Sequence, residues 1–241
     1  MTEVLERCPT LREMIDRGIG YTLAGDPAPL HSNIRLEFAE ALYQTVRRER
    51  PRVAVEVGMA YGVASLAILS ALRDNGSEGK LISIDPNQSS EWKGGGVAAI
   101  AKAGLSDRHE LLEEYDYDAL PRLRGSGLRV DFAYLDGWHT FDHTLLAWWY
   151  VDKMLPAGGI VGFNDCDWPA VEKTIRFVLT HRKYTEIHVG LRPEFAGYSR
   201  ARELRRRLTL GSREKWYTRA EDRYLRKDED WEPGWDFFRP F

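Results

Sequence analysis

VAVEVGMAYG, residues 53–62, decides the fold. Residues 53–57 are a short, mostly apolar run closed by Gly58, the pattern of a strand buried on both faces of a parallel sheet. The chain then turns and enters a helix near Gly62, which runs to about Arg73. Glycines at such a turn let backbone approach a ligand closely. The spacing here is G-x-x-x-G, not the G-x-G-x-x-G of dinucleotide-binding proteins. Glu56, two residues before Gly58, suits a ligand whose near end is cationic better than a pyrophosphate.

Downstream, an Asn75-Gly76 turn leads to the strand LISID (81–85), a helix over 95–103 and the strand HELL (109–112). The strand VDFAYLD (130–136) precedes a helix from Phe141 to Met154, which PAGG (156–159) breaks. IVGFND (160–165) leads into a helix opening at Trp168-Pro169, with Pro169 in the first turn and Asp167 as the expected N-cap. Two last strands, YTEIHVGL (184–191) and EFAGYSR (194–200), are spaced to pair as a hairpin. Upstream, residues 2–18 and 34–49 read as helices, the second with Ile34, Phe38, Leu42 and Val46 along one face. The intervening YTLAGDPAPLHSN reads as a loop with Ser32 or Asn33 as N-cap. Strands alternating with helices imply an α/β, Rossmann-like, doubly wound sheet of seven mostly parallel strands, the last antiparallel, behind a helical N-terminal cap. The expected partition is a cap over 1–50, a Rossmann-like domain over 51–200, and a basic helix with an aromatic tail over 201–241 packing on that domain.

Composition narrows the class. The chain has 241 residues, 43 % hydrophobic and 29 % charged, enough for one sizeable α/β core. Its two cysteines, Cys8 and Cys166, match no zinc or redox spacing, so a reducing cytoplasm is the expected compartment. The first residues carry mixed charge without the apolar core of a signal peptide, and no apolar run approaches the ~20 residues that cross a bilayer.

In doubly wound sheets ligands sit at the carboxyl ends of the strands. Asp85, ending the second strand, is placed to accept hydrogen bonds from ribose hydroxyls. The fourth strand ends in Asp136, followed by Gly137, Trp138 and His139; the fifth ends in Asn164 and Asp165. Carboxylates crowded together repel unless one is protonated or a cation is bound, and two carboxylates with an amide oxygen suit Mg²⁺ or Ca²⁺. Such an ion would acidify an acceptor hydroxyl, and His139 has the intrinsic pKa of a general base.

The strings PLHSNI (29–34), VEVGMAYGVAS (55–65), ISIDPNQ (82–88), LDGWHTFDH (135–143) and LPAGGIVGFNDCDW (155–168) together resemble the class I S-adenosylmethionine-dependent methyltransferases. The narrower resemblance is to the bacterial small-molecule O-methyltransferases that include cephalosporin- and macrolide-modifying enzymes, with catechol and caffeoyl-CoA O-methyltransferases as more distant cousins. It implies that Glu56, Gly58, Met59, Ala60, Tyr61, Gly62 and Ser65 form the loop at the methionine end of S-adenosylmethionine. It also implies that Asp85 holds the ribose, that Pro86 and Gln88 bind the cofactor, that Glu113 and Glu114 lie near the adenine, and that Asp136 borders the cofactor. Asp136, Asn164 and Asp165 would be the metal ligands, and His139 and Asp136 the catalytic pair. Two departures stand out: the relatives usually have Asp at the position of Asn164, and often Ser at that of Ala64, the hydroxyl here being displaced to Ser65.

The expected partner is a hydroxylated small molecule, with Mg²⁺ as a second cofactor. Residues 200–227 hold 11 Lys/Arg against 4 Asp/Glu, with Leu204 and Leu208 on one face of an expected amphipathic helix. A basic helix of this kind would guide an anionic acceptor or RNA, and the alternative function is an RNA methyltransferase. The segment lacks a regular aromatic stacking pattern, which weighs against nucleic acid. A non-catalytic cofactor-binding module is the third reading, and an NAD(P) enzyme a distant fourth. The tail WEPGWDFFRPF (231–241) holds five aromatic residues, too many to leave wet, and is expected to pack on the domain, over the site, or on the partner subunit of a homodimer.

Overall fold

In the computed structural model, which describes residues 2–76, 78–191 and 221–241, Val53–Val57 form the strand β3 near the middle of the sheet. Its side chains alternate between the two faces: Ala54 joins one buried cluster, while Val55 and Val57 join the other. Before it in the chain come the helices α1 (Glu3–Arg7) and α2 (Pro9–Arg17), the two-stranded ribbon β1 (Ile19–Tyr21) and β2 (Pro27–Pro29), and α3 (Leu36–Glu49). After it follow α4 (Val63–Asp74), β4 (Lys80–Ile84), α5 (Gly95–Lys102), β5 (His109–Leu112), α6 (Asp116–Gly125) and β6 (Phe132–Leu135). Then come α7 (Phe141–Met154), β7 (Ile160–Phe163), α8 (Pro169–His181), β8 (Tyr184–Ile187) and β9 (Arg223–Lys227). The seven-stranded sheet has the order β5-β4-β3-β6-β7-β9-β8. Its first five members are parallel, and β9 runs antiparallel to both neighbours. Helices α1–α5 cover one face and α6–α8 the other. The strand order reverses direction at β3, so the crevice outside β3 and β6 is the switch point where ligands sit.

Several expectations are corrected. The helix expected over 2–18 is two helices, because Pro9 cannot donate within a continuing helix and instead opens the second. The stretch read as a loop contains the ribbon β1–β2, whose strands pair Ile19 with Pro29 and Tyr21 with Pro27. Neither Ser32 nor Asn33 caps α3; Arg35 holds that position, without a side-chain cap. Trp168, not Asp167, is the N-cap of α8. Helix α6 went unread because Pro121 lies inside it and reads as a breaker, although Ala119, Leu120 and Leu123 bury one face. The partner of β8 is β9, drawn from the segment expected to be a basic helix; EFAGYSR and the helix around Leu204 and Leu208 lie outside the described residues.

Strand β9 is held by charges that are themselves buried. Lys227, 2 % exposed, donates to the carbonyls of Asp152 (2.7 Å) and Leu155 (3.0 Å) and to Asp230 Oδ1 (2.9 Å). Arg223 makes a two-pronged pair with Glu186, both contacts at 2.7 Å. Beyond β9 the tail folds back on the same chain: the Phe241 ring lies 5.2 Å from the rings of both Phe177 and His181. Trp235 and Phe238 stay exposed. Among the described residues no helix is long and apolar enough to cross a membrane.

Candidate active site

The carboxyl ends of β3, β4, β6 and β7 open into one cleft of about 950 Å³. Its floor is the turn after β3. Gly58 has φ +84, and a Cβ there would stand 2.0 Å from the carbonyl oxygen of Asp136, so only glycine lets these two strand ends meet. The turn is gripped from β4. Asp85 Oδ2 accepts the backbone N–H groups of Met59 (3.1 Å) and Ala60 (2.8 Å) and the Gln88 amide (3.1 Å), while Oδ1 accepts Asn87 N–H (2.9 Å). Gln88 also donates to the Ala60 carbonyl (2.8 Å), so two side chains fix a turn in which Ala60 itself has φ 46. The ribbon β1–β2 and the loop before α5 close the side. A Cβ on Gly95 would meet the Tyr21 carbonyl at 2.5 Å, and this is what the glycine run 94–96 permits.

Gly58, Met59, Ala60, Tyr61, Asp85 and Pro86 line the cleft, and so does Asp136. Gly62 and Gln88 stand behind that lining, Gly62 as the left-handed N-cap of α4. Glu113 and Glu114 do not line it: Glu113 accepts Ser89 N–H (2.6 Å) and Oγ–H (2.8 Å), and Glu114 pairs with Arg122. The residues that reach the cleft after β5 are Tyr115, Asp116 and Tyr117, with the two tyrosine rings stacked 4.9 Å apart. Their signal was the aromatic–acid–aromatic run just past the strand end. Ser32, Asn33 and Ile34 from the N-terminal segment also line the cleft, as does Trp92. The Trp92 ring, that of Tyr61 and that of His31 are packed within 5.7 Å of one another.

Glu56 is turned away from the cleft. It is fully buried on the α4 face and accepts Ser65 Oγ–H and Ser83 Oγ–H on one oxygen, each at 2.6 Å. Ser65 therefore spends its hydroxyl inside the fold. Burial pushes the Glu56 carboxyl up to about 8; the two serine hydroxyls draw it back, and the Asp136 and Asp85 carboxylates add to the rise. The folded protein thus keeps a proton that the unfolded chain releases near 4.5. Stability is lost as pH rises through this window, with a slope of at most about 1.4 kcal/mol per pH unit. Glu56→Gln should flatten that slope. Urea unfolding of both proteins from pH 5 to 8 should show the wild type losing ground to the variant as pH rises, and parallel curves would refute the assignment.

On the other side of the cleft, Asp136, His139 and Asp165 converge, with ligand atoms all within 4.8 Å of one another. His139 Nε2 lies 3.5 Å from Asp136 Oδ1 and 3.3 Å from Asp165 Oδ2. Burial pulls the His139 imidazole down, but the Asp136 and Asp165 carboxylates outweigh it and the net shift is upward. Both carboxyls are raised, chiefly by burial, with His139 opposing. Asp165 sits at φ 50, a left-handed position that Asp tolerates better than most residues. Asn164 donates from Nδ2 to Asp136 Oδ1 (3.0 Å), and its own Oδ1 is buried with no partner among the described residues. The structure thus brings the expected Asp136, Asn164 and Asp165 together and adds His139 to the same group.

Residues 55–166 match the family model described as a methyltransferase domain. Over that stretch, a little under half of its length, the chain is similar to methyltransferase domains. Among curated proteins, none matches it by sequence. The chain has a fold similar to that of an O-methyltransferase from Bacillus cereus solved with S-adenosylhomocysteine: TM-score 0.59, 17 % identity, 74 % of this chain and 82 % of that one. An O-methyltransferase from Streptomyces achromogenes involved in tomaymycin synthesis, solved with S-adenosylmethionine, gives TM-score 0.57 and 18 % identity over 76 % of this chain and 80 % of that one. A methyltransferase from Podospora anserina, bound to S-adenosylhomocysteine, gives 0.62 and 15 % over 95 % and 89 %. The Rossmann-like architecture is therefore the one the sequence implied.

Proposed function

We propose that the protein transfers a methyl group from S-adenosylmethionine to a hydroxyl of a small molecule at the Asp136–His139–Asp165 cluster. One observation carries this reading: the turn gripped by Asp85 and the cluster around His139 face the same cleft. The residues fit the cofactor. Among the described residues Asp85 Oδ1 accepts one hydrogen bond, which leaves a lone pair for a ribose hydroxyl. Among the described residues lining the cleft there is no Lys or Arg to repel a sulfonium. S-adenosylmethionine, when bound, supplies a methyl group on a positively charged sulfur that departs as a neutral thioether. The chain's own part is alignment and exclusion of water. Asp85 holds the ribose and the 58–61 turn the methionine end, and the strand ends of β6 and β7 hold the acceptor. As the acceptor oxygen takes the methyl group, His139 receives its proton at Nε2, and the imidazolium formed there is stabilised by Asp136 and Asp165.

The same cluster fits a divalent cation: two carboxylates and the Asn164 oxygen, which has no partner among the described residues, are the donor set of a hard metal ion. Mg²⁺ there would be held by Asp136, Asp165 and Asn164 and would acidify the acceptor hydroxyl, leaving His139 Nε2 to take its proton. A labelled-methyl transfer screen over hydroxylated metabolites tests the reading. Turnover should fall at least tenfold after exhaustive chelation and return with added Mg²⁺. Unchanged rates would remove the metal and leave His139 to act alone; label on no acceptor would remove the transfer.

A further inference from the structure

Two large apolar side chains in the cleft are left open to solvent by everything assigned so far. Trp138 is 68 % exposed and Trp168 is 51 % exposed, and both line the cleft beside the catalytic cluster. The Trp168 ring stands 5.1 Å from that of His139, and Trp138 is its neighbour in the chain. From Trp138 a band of rings continues along the wall: His143 at 6.2 Å, Tyr117 5.8 Å from His143, then Tyr115. Exposed indoles grouped in a concave site are surface a ligand would cover, and they favour flat partners that stack. Charge narrows the partner further. The described residues lining the cleft include five carboxylates, on Asp85, Glu91, Asp116, Asp136 and Asp165, and neither Lys nor Arg. An acceptor that brought another negative charge would add it to this excess of carboxylates in a poorly screened crevice, with no Lys or Arg in the described lining to answer it.

We infer that Trp138 and Trp168 form a stacking site for a hydroxylated aromatic acceptor that carries no negative charge. This rests on the methyl-transfer reading for its purpose, but its binding test does not need transfer. Calorimetry at pH 7 with matched phenols separates the terms: tyramine as the cation, 4-hydroxyphenylacetamide as the neutral form, 4-hydroxyphenylacetate as the anion, and methyl glucoside as a sugar. Each is titrated with and without saturating S-adenosylhomocysteine. The amine and the amide should bind at least tenfold more tightly than the carboxylate and the sugar. Trp168→Ala should weaken amide binding at least tenfold and leave S-adenosylhomocysteine affinity within twofold, and Trp168→Phe should restore most of the loss. A carboxylate that binds as well as the amide, a sugar that binds more tightly, or phenol binding untouched in both Trp168→Ala and Trp138→Ala would overturn the inference. A protein that ignores S-adenosylhomocysteine yet discriminates among the phenols would instead overturn the cofactor reading alone.

Discussion

His139→Ala should lower kcat by about 10²- to 10⁴-fold, the usual worth of a positioned general base, while cofactor affinity stays within a few-fold. The separation follows from position. His139 sits on the loop between β6 and α7, within ion-pair reach of Asp136 and Asp165, whereas the turn gripped by Asp85 is built from β3 and β4. Removing the imidazole also leaves two half-buried carboxylates without the group between them, so their repulsion would open the cluster. Added imidazole should recover part of the rate if the lost group is the proton acceptor. Steady-state kinetics with calorimetry of the variant check both halves; intact turnover would take His139 out of the chemistry.

Gly58→Ala should be still more damaging, because it attacks the meeting point of two strand ends. An alanine in the left-handed region costs about 1–2 kcal/mol on its own. Here the new Cβ would also lie 2.0 Å from a backbone oxygen of Asp136, and backbone cannot swing aside as a flexible side chain can. The β3 turn or the Asp136 segment must move, and both halves of the site move with it. Stability should fall by about 4 kcal/mol or more, a size confined to disruptions of this kind, and cofactor binding should drop by over a hundredfold. Gly127→Ala is the control: φ is +78, but nothing lies within 4 Å of the added carbon. It should cost only the conformational term, with binding intact. Equal melting temperatures for the two variants would show that the close approach does not matter.

The central strands were legible because a strand buried on both faces has a strong apolar signature with a turn at its end, and β3, β4, β6 and β7 all show it. Asp85, Asp136, His139 and Asp165 were legible for the same reason: doubly wound topology sends whatever follows those strands into one crevice. What could not be read was nonlocal. Glu56 looks like a ligand residue in one dimension, but strand alternation points it at α4, where two serines hold it. Strand β9 lies far from its partners β7 and β8 in sequence, and its pattern RYLRK hides buried cations whose partners, Glu186 and the 152–155 turn, come from elsewhere. Pro121 concealed α6. The residues after β5 were placed one turn too early, because Glu113 and Glu114 are consumed by Ser89 and Arg122 and the chain must pass them before Tyr115 reaches the cleft.

Titration of the purified chain with S-adenosylhomocysteine in a calorimeter bears most directly on all of this. Saturable heat at one site per chain is the expected result, abolished in Gly58→Ala and retained in His139→Ala. No heat at millimolar ligand from the folded protein would contradict it.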